Sequence, residues 1–354
     1  MIDNTMFEID DDRLPAIVQP RNGRSAHSLD ALVTWCRAHQ PDVKELLQRK
    51  GAILFRGFEV RSAEDFAHVA RAISEGSEGS EGSRASQDGL VEYVAGVARR
   101  KKITDGIYTS TEYPSHVDMP CHNELSHTKD WIALIFFFCQ VAPKERGETP
   151  LVDGREVVRG MKPETAALFR EKRVTYVRFL HCGDGSGILE NNVRVLDASG
   201  YPYSVSWQHT YGTTDKSVVE ANAKRVGADI EWTSSNDLIW RETVQAIRRH
   251  PETREESWFS HVVNFHPSRM APAVRKRIPE KEYPRNVVFG DGTPIADSIV
   301  DEIRDCVAKG EKLFAWQKGD VLMIDNVLVA HGRRTFEGPR TILTAMAGLR
   351  EDSR

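Results

Sequence analysis

A short segment at residues 119–127, MPCHNELSH, places metal-binding side chains close together. His122 and Glu124 stand two residues apart, and residues at that spacing on a β-strand point to the same face. An imidazole and a carboxylate presented together can hold two positions on a divalent ion, and a distant histidine can supply a third. The open positions that remain on iron(II) could accept a co-substrate and dioxygen.

The triplet is a weak signal when taken alone. With 12 histidines and 52 acidic residues in 354, about two His-x-Asp/Glu matches are expected by chance. The sequence contains three, which are HVD at 116–118, HNE at 122–124 and HPE at 250–252. The ligand types of HVD would serve as well as those of HNE. A suitable distant histidine is His331, where the β-rich run GDVLMIDNVLVAHG meets a turn.

Five blocks in a fixed order resemble the iron(II)/2-oxoglutarate-dependent dioxygenases of the taurine dioxygenase superfamily. Within it, the sequence is most similar to the amino-acid hydroxylases of peptide natural-product pathways. The similarity runs from about residue 51 to 348 and is specific because of the order of the blocks. They are TSTEYP (109–114), HNELSH (122–127), FFFC (136–139), GETPLVDGR (147–155) and DNVLVAHGRRTFEGPR (325–340).

The resemblance implies that His122, Glu124 and His331 are the iron ligands. HNE is favoured over HVD because GETP follows it at the usual distance and because it directly precedes the FFFC strand. HVD remains the alternative pair, and HPE is expected to be structural. We expect His127 at the surface, with a contact to a metal ligand or to the substrate as the alternative.

The resemblance also implies a site for 2-oxoglutarate. A guanidinium matches the distal carboxylate of this co-substrate with two parallel hydrogen bonds. By resemblance that residue is Arg340, with Thr149 donating a hydroxyl to the same carboxylate. The spacing from His331 to Arg340 is shorter than in taurine dioxygenase, so Arg333 or Arg334 is the alternative.

The activity implied is the oxidative decarboxylation of 2-oxoglutarate by iron(II) and O2, which releases succinate and CO2 and hydroxylates an unactivated C–H bond. The expected substrate is an amino acid or a derivative, free or tethered to a peptidyl carrier protein, in secondary metabolism. An intact carboxylate at Glu124 favours hydroxylation over halogenation, whereas desaturation and cyclisation remain open. Two alternatives are an oxygenase of a quaternary amine or sulfonate, and a jelly-roll metal- or ligand-binding protein without turnover.

The predicted helices and strands that must position these residues indicate an α+β protein. After residue 120, short β-branched and aromatic runs separated by turn residues favour a sandwich or jelly roll. Helices are predicted at 28–40, 41–50, 62–73, 163–172, 237–250 and 297–309. We expect one domain, 1–354, with helices and a first strand in 1–60, a flexible loop at 75–83 and a double-stranded β-helix core at 105–350. An insertion interrupts this cupin-like core at roughly 205–300.

Composition and charge indicate which class of partner and which cellular compartment to expect. A formal charge of −4 provides no phosphate-attracting field, so a small-molecule substrate is favoured over nucleic acid. Five scattered cysteines with no CxxC pair suit a reducing cytoplasm. The acidic N-terminus is unlike a signal peptide, and the densest apolar run, 131–139, is too short to cross a membrane.

Overall fold

The structure, a computed structural model, describes residues 6–21, 24–74, 89–92, 100–111, 113–183, 188–189, 193–194 and 206–352. The loop predicted at 75–83 lies outside these ranges. The first 60 residues contain more strand than predicted, because two strands precede the first helix.

The strands carry the labels that follow. They are β1 Phe7–Asp10, β2 Ala16–Pro20, β3 Ala52–Phe55, β4 Lys102–Thr104, β5 Ile107–Thr109, β6 Met119–His122, β7 Asp130–Val141, β8 Glu145–Arg146, β9 Thr149–Asp153, β10 Val174–Leu180, β11 Ile188–Leu189, β12 Val193–Arg194, β13 Asp229–Trp232, β14 Leu238–Val244, β15 Ile247–Arg249, β16 Glu256–Trp258, β17 Arg285–Phe289, β18 Lys312–Phe314, β19 Val321–Asp325, β20 Val329–Arg333, β21 Phe336–Glu337 and β22 Thr341–Glu351.

The helices are numbered in the same way, in chain order. They are α1 Leu29–Ala38, α2 Gln40–Lys50, α3 Ala63–Ser74, α4 Gly154–Gly160, α5 Pro163–Lys172, α6 Trp207–Tyr211, α7 Lys216–Val226, α8 Val262–Phe265, α9 Pro272–Arg275 and α10 Asp297–Gly310. Within the described ranges, none has the length and apolar content needed to span a bilayer.

The N-terminal helices begin and end where local sequence signals place them. The Ser28 hydroxyl accepts a hydrogen bond from a backbone N–H in the first turn of α1. Gly51 ends α2 with a φ of 77°, a left-handed conformation that favours glycine. Ser62 and Asp65 form a reciprocal capping box at the start of α3. These helices cover one face of the large sheet.

The large sheet has eight strands in the order β1-β2-β3-β19-β7-β22-β5-β4. Its central strand β7 is apolar on both faces because both faces are covered. Phe136 and Phe138 pack in the cluster that includes Phe66 of α3. Phe137 and Cys139 belong to the cluster on the opposite face.

A second sheet, β18-β9-β20-β6, packs against that opposite face. Leu151 of β9 and Val329 of β20 share one buried cluster with Phe137. Two facing sheets with a helical layer confirm the predicted α+β class. The finer prediction, a double-stranded β-helix, stays a prediction.

A third sheet, β13-β14-β10-β17, contradicts one helix prediction. The segment 237–250 is not helical, because β14 pairs with β13 on one side and with β10 on the other. Pairing on both edges gives the backbone its hydrogen bonds as a strand, and tertiary context overrides the helix-like apolar spacing. The helices predicted at 163–172 and 297–309 are present as α5 and α10.

Candidate functional site

Two adjacent strands bring the predicted histidines together. β6 and β20 run antiparallel, and His122 lies directly opposite His331 in the register. The centroids of the two rings are 4.7 Å apart. Gly332 permits this close approach, because a Cβ there would lie 2.5 Å from the carbonyl oxygen of Met119.

Glu124 follows the end of β6 and is held by its backbone. Its N–H donates to the side-chain oxygen of Asn326 at 2.8 Å, and the amide of Asn326 donates back to its carbonyl at 2.9 Å. The next residue, Leu125, turns the chain with a φ of 57°. Asn326 therefore positions the carboxylate of Glu124. The sequence gives no sign of this role, although Asn326 lies in the DNVLVAHG block.

The three predicted ligands form one buried group. One ligand atom each from His122, Glu124 and His331 lie within 4.8 Å of one another. In the described part of the chain, no other group of three His, Cys, Asp or Glu side chains is placed to hold a metal ion. The exposed fractions of His122, Glu124 and His331 are 8%, 4% and 5%, so water competes little for the ion.

The histidines are in the protonation state that a metal requires. Nδ1 of His122 lies 2.9 Å from the carbonyl oxygen of Pro120. Since a carbonyl only accepts, the proton sits on Nδ1 and the Nε2 lone pair remains to bind an ion. Burial lowers the pKa of both His122 and His331, which keeps them neutral. Two neutral imidazoles and one carboxylate fit iron(II).

His122 and His331 line a cavity, and Thr149, Trp316 and Arg340 line it too. Nε of Arg340 is buried and has no hydrogen-bond partner among the described residues. Burial, followed by the charge of Arg333, lowers the pKa of Arg340 to about 10. Among the described residues that line this cavity there is no carboxylate, so a buried guanidinium that faces it suits an anionic ligand group, and 2-oxoglutarate offers one.

Arg333 lines this cavity too, but both of its Nη atoms are occupied, while its Nε, like that of Arg340, is buried without a hydrogen-bond partner among the described residues. Its Nη atoms donate to the carbonyl oxygens of Tyr113 at 2.8 Å, Pro114 at 2.5 Å and Val117 at 2.7 Å. It therefore anchors the loop before β6. Of the predicted arginines, Arg340 has the better placed donors, and a co-substrate role for Arg333 stays a prediction.

The other two triplets are engaged elsewhere. The carboxylate of Asp118 accepts from the side chain of Arg334 at 3.0 Å and from the backbone of Thr335, so HVD does not join the group. In HPE, Nδ1 of His250 accepts a backbone N–H, so Nε2 carries the proton and donates to Asp325 at 3.0 Å. That pair braces the turn between β19 and β20.

Two residues near the site differ from expectation. His127 is buried, not exposed, and its ring lies 4.8 Å from that of His261 and 5.2 Å from that of Phe265. The prediction of a surface position was wrong, because the turn after Glu124 directs His127 into the interior. Arg100 contacts Glu124, and nothing in its lysine- and arginine-rich surroundings signals this.

Comparison with known sequences gives consistent matches over most of the chain. Residues 17–346 match the family described as taurine catabolism dioxygenase TauD, TfdA family. The dapdiamide synthesis protein DdaC of Enterobacter agglomerans is 32% identical over 326 residues, covering 91% of this chain and 89% of that protein. A clavaminate synthase-like protein of Arabidopsis thaliana is 31% identical over 345 residues, covering 94% and 93%.

Comparison with solved structures shows the same overall fold. AAD-2 in complex with Mn(II) and N-oxalylglycine matches with a TM-score of 0.53 at 12% identity, covering 98% of each chain. A taurine dioxygenase from Burkholderia xenovorans matches with a TM-score of 0.50 at 10% identity, covering 97% of this chain and 89% of that one. At these identities the likeness concerns the fold alone.

Proposed function

The chain belongs to the TauD/TfdA family of dioxygenases, and on that premise we propose that it hydroxylates an unactivated C–H bond of an amino acid or an amino-acid-derived substrate. As a member of this family it is an iron(II)- and 2-oxoglutarate-dependent dioxygenase. The substrate and the outcome of the reaction are the proposed part.

One observation carries the proposal. His122 and His331, which form one buried group with Glu124, line the cavity that Thr149 and Arg340 also line. A metal site and an anion site in one cavity are what a chelating keto acid with a distal carboxylate needs.

The residues of the site have three proposed tasks, which are to bind iron, to bind 2-oxoglutarate and to shield the metal ligands. His122, Glu124 and His331 would hold iron, and Arg340 and Thr149 would bind the distal carboxylate of 2-oxoglutarate. Iron with 2-oxoglutarate and O2 supplies the oxidant that removes hydrogen from the substrate. The ring of Phe137 lies 5.0 Å from that of His331 and shields this ligand with apolar surface. The protein thereby holds the reacting groups in a confined geometry.

The retained carboxylate supports hydroxylation as the outcome. Glu124 is buried and its backbone is fixed by Asn326, so the position has a protein ligand and is not left for a halide. With all three protein ligands present, the expected product carries a new hydroxyl group on the substrate carbon.

The substrate class draws support from the relatives. DdaC, at 32% identity, is named for dapdiamide synthesis, which supports a place in secondary metabolism. We extend the proposal to substrates that are free and to those tethered to a peptidyl carrier protein, and we propose a cytoplasmic location. The match in overall fold to solved structures supports the proposed double-stranded β-helix core.

A substrate screen tests the proposal. Purified protein with iron(II), ascorbate and 2-oxoglutarate would be incubated with single amino acids, and then with the same amino acids loaded on a carrier domain. Succinate release that depends on one substrate, together with a product heavier by one oxygen atom, is the expected result. A product lighter by two hydrogens would replace hydroxylation with desaturation.

The matched control is Glu124→Ala in the same screen. It should release no substrate-dependent succinate, because the metal loses its carboxylate ligand. If a quaternary amine or a sulfonate stimulates succinate release and no amino acid does, the proposed substrate class is wrong while the dioxygenase assignment stands.

A further inference from the structure

The carboxylate of Glu124 already has a partner in this structure. Nη2 of Arg100 donates to Oε2 of Glu124 at 2.6 Å. The two side chains are 2% and 6% exposed, so the ion pair is desolvated on both sides. A charge-assisted bond of this length in a dry site is strong and directional.

The guanidinium is held in place from the edge of the large sheet. Residues after Arg100 form β4, and the backbone N–H of Lys101 donates to Oγ1 of Thr109 in β5 at 2.9 Å. The N–H of Thr109 donates in return to the carbonyl of Lys101 at 2.9 Å. Arg100 therefore leaves a paired segment of backbone and reaches into the cavity that contains His122 and His331.

Both ends of the ion pair are thus fixed by separate elements. Asn326 fixes the backbone of Glu124, and the β4–β5 pairing fixes the backbone of Arg100. A carboxylate held at its main chain and at one oxygen has little rotational freedom left. Its second oxygen, Oε1, is the one that remains to bind an ion.

We infer that Arg100 is a positioning residue for the metal: it holds Oε2 of Glu124 so that this carboxylate binds through one oxygen only. This inference rests on the proposed role of Glu124 as an iron ligand. Binding through one oxygen keeps three positions open, two for 2-oxoglutarate and one for dioxygen. A carboxylate that could rotate and bind through both oxygens would occupy one of them.

The competing interpretation is that the metal displaces Arg100. A guanidinium close to a divalent cation is repelled by it, and in that case removing the charge would strengthen metal binding. The two interpretations predict opposite signs for the change in metal affinity, so the affinity for the metal alone discriminates between them.

The experiment is an anaerobic titration of the full-length apoprotein with Co(II), followed by its visible ligand-field absorption. Three variants are compared with the wild type: Arg100→Met, Arg100→Lys and the control Arg248→Met. Arg248 is also a buried arginine, with two bonds to Asp352 at 2.6 and 2.8 Å, but it lies outside the metal group. Far-UV circular dichroism checks that each variant is folded.

The expected result is a Co(II) dissociation constant about 10- to 100-fold higher in Arg100→Met, which is typical when a partner of a metal ligand is lost. Arg100→Lys should show a smaller increase, and Arg248→Met should match the wild type. The ligand-field spectrum of Arg100→Met should differ from that of the wild type, since the carboxylate binds differently.

An unchanged or lower dissociation constant in Arg100→Met would overturn the inference, as would an equal shift in Arg248→Met. If the Met variant does not fold, Arg100→Gln and Arg100→Lys provide the same comparison. Failure of the proposed function looks different: the wild type itself would not bind Co(II). In contrast, a wild type that binds Co(II) together with an unaffected Arg100→Met rejects only the role of Arg100.

Discussion

The indole Nε1 of Trp316 donates a hydrogen bond to Oγ1 of Thr149 at 2.9 Å, inside the cavity that also contains Arg340. An indole N–H can only donate, so the threonine oxygen acts as acceptor and its own proton is directed elsewhere. The bond thus fixes the Thr149 hydroxyl as a donor, which is what a carboxylate of 2-oxoglutarate requires.

This relationship predicts graded effects on co-substrate affinity. Thr149→Val should weaken 2-oxoglutarate binding by about tenfold, because one hydrogen bond to a charged group is lost. Trp316→Phe should weaken it by about threefold, since the hydroxyl remains but is no longer oriented. Anaerobic titration of the iron-loaded protein, followed by its visible charge-transfer band, measures both affinities.

The double variant provides the control for this prediction. In the Thr149→Val background, Trp316→Phe should have little further effect, because the two residues act through one hydroxyl. Full additivity of the two effects would show that Trp316 contributes by packing alone.

Replacement of Arg340 should have opposite effects on stability and on co-substrate binding. Without 2-oxoglutarate, Arg340→Met should raise the free energy of unfolding by about 1 kcal/mol, because a buried donor without a partner is removed. The same change should weaken 2-oxoglutarate binding by about 100-fold, through loss of a charge-assisted pair. Urea unfolding with and without co-substrate measures both.

Arg333→Met is the matched comparison. Its guanidinium holds three backbone carbonyls, at Tyr113, Pro114 and Val117, so this variant should be less stable than the wild type. If Arg333→Met, and not Arg340→Met, abolishes 2-oxoglutarate binding in folded protein, the two arginines exchange roles.

The parts of the site that the sequence predicts are local in the chain. His122 and Glu124 lie within one triplet, and the ordered blocks around GETP and HGRR select that triplet from three. His331 follows because a β-rich run precedes it. These residues are defined by short-range patterns, and the strands β6 and β20 then place them opposite one another.

The parts that escaped prediction depend on contacts between distant segments. Arg100 reaches Glu124 only because β4 and β5 extend the large sheet beside the cavity. Trp316 reaches Thr149 because β18 pairs with β9, where Phe314 lies opposite Thr149. The helix predicted over β14 fails for the same reason, since β14 pairs on one edge with β10, which is distant in sequence, and only on the other edge with its neighbour β13.

Alanine replacement of two proposed metal ligands should separate the site from the alternative triplet. His122→Ala and Glu124→Ala should each lose metal-dependent turnover by a factor of at least about 100, because both belong to the buried group. His116→Ala should retain turnover. Iron content by elemental analysis, measured with succinate release, distinguishes loss of metal from loss of fold. Iron retained in Glu124→Ala but lost in His116→Ala would move the site to HVD.

The buried histidines His127 and His261 predict a loss of stability in acid. Burial holds the pKa of both rings well below the ordinary value of 6.5, with further lowering of the pKa of His127 by the charges of Arg178 and Arg285. Below pH of about 6.5 the unfolded chain takes up protons that the folded chain excludes, so the free energy of unfolding falls by about 1.4 kcal/mol per pH unit for each ring. Above that pH both rings are neutral in either state, and their contribution is constant.

His127→Phe should remove the contribution of the His127 ring to this fall in the free energy of unfolding in acid. The ring of His127 packs between Tyr176 and Phe265, an environment that accepts an aromatic hydrocarbon. Between pH of about 6.5 and 5.5, the variant should therefore lose about 1 kcal/mol less stability than the wild type in urea unfolding of the metal-free protein. An equal loss in His127→Phe and wild type would mean that His127 is protonated in the folded protein, contrary to the effect of its burial.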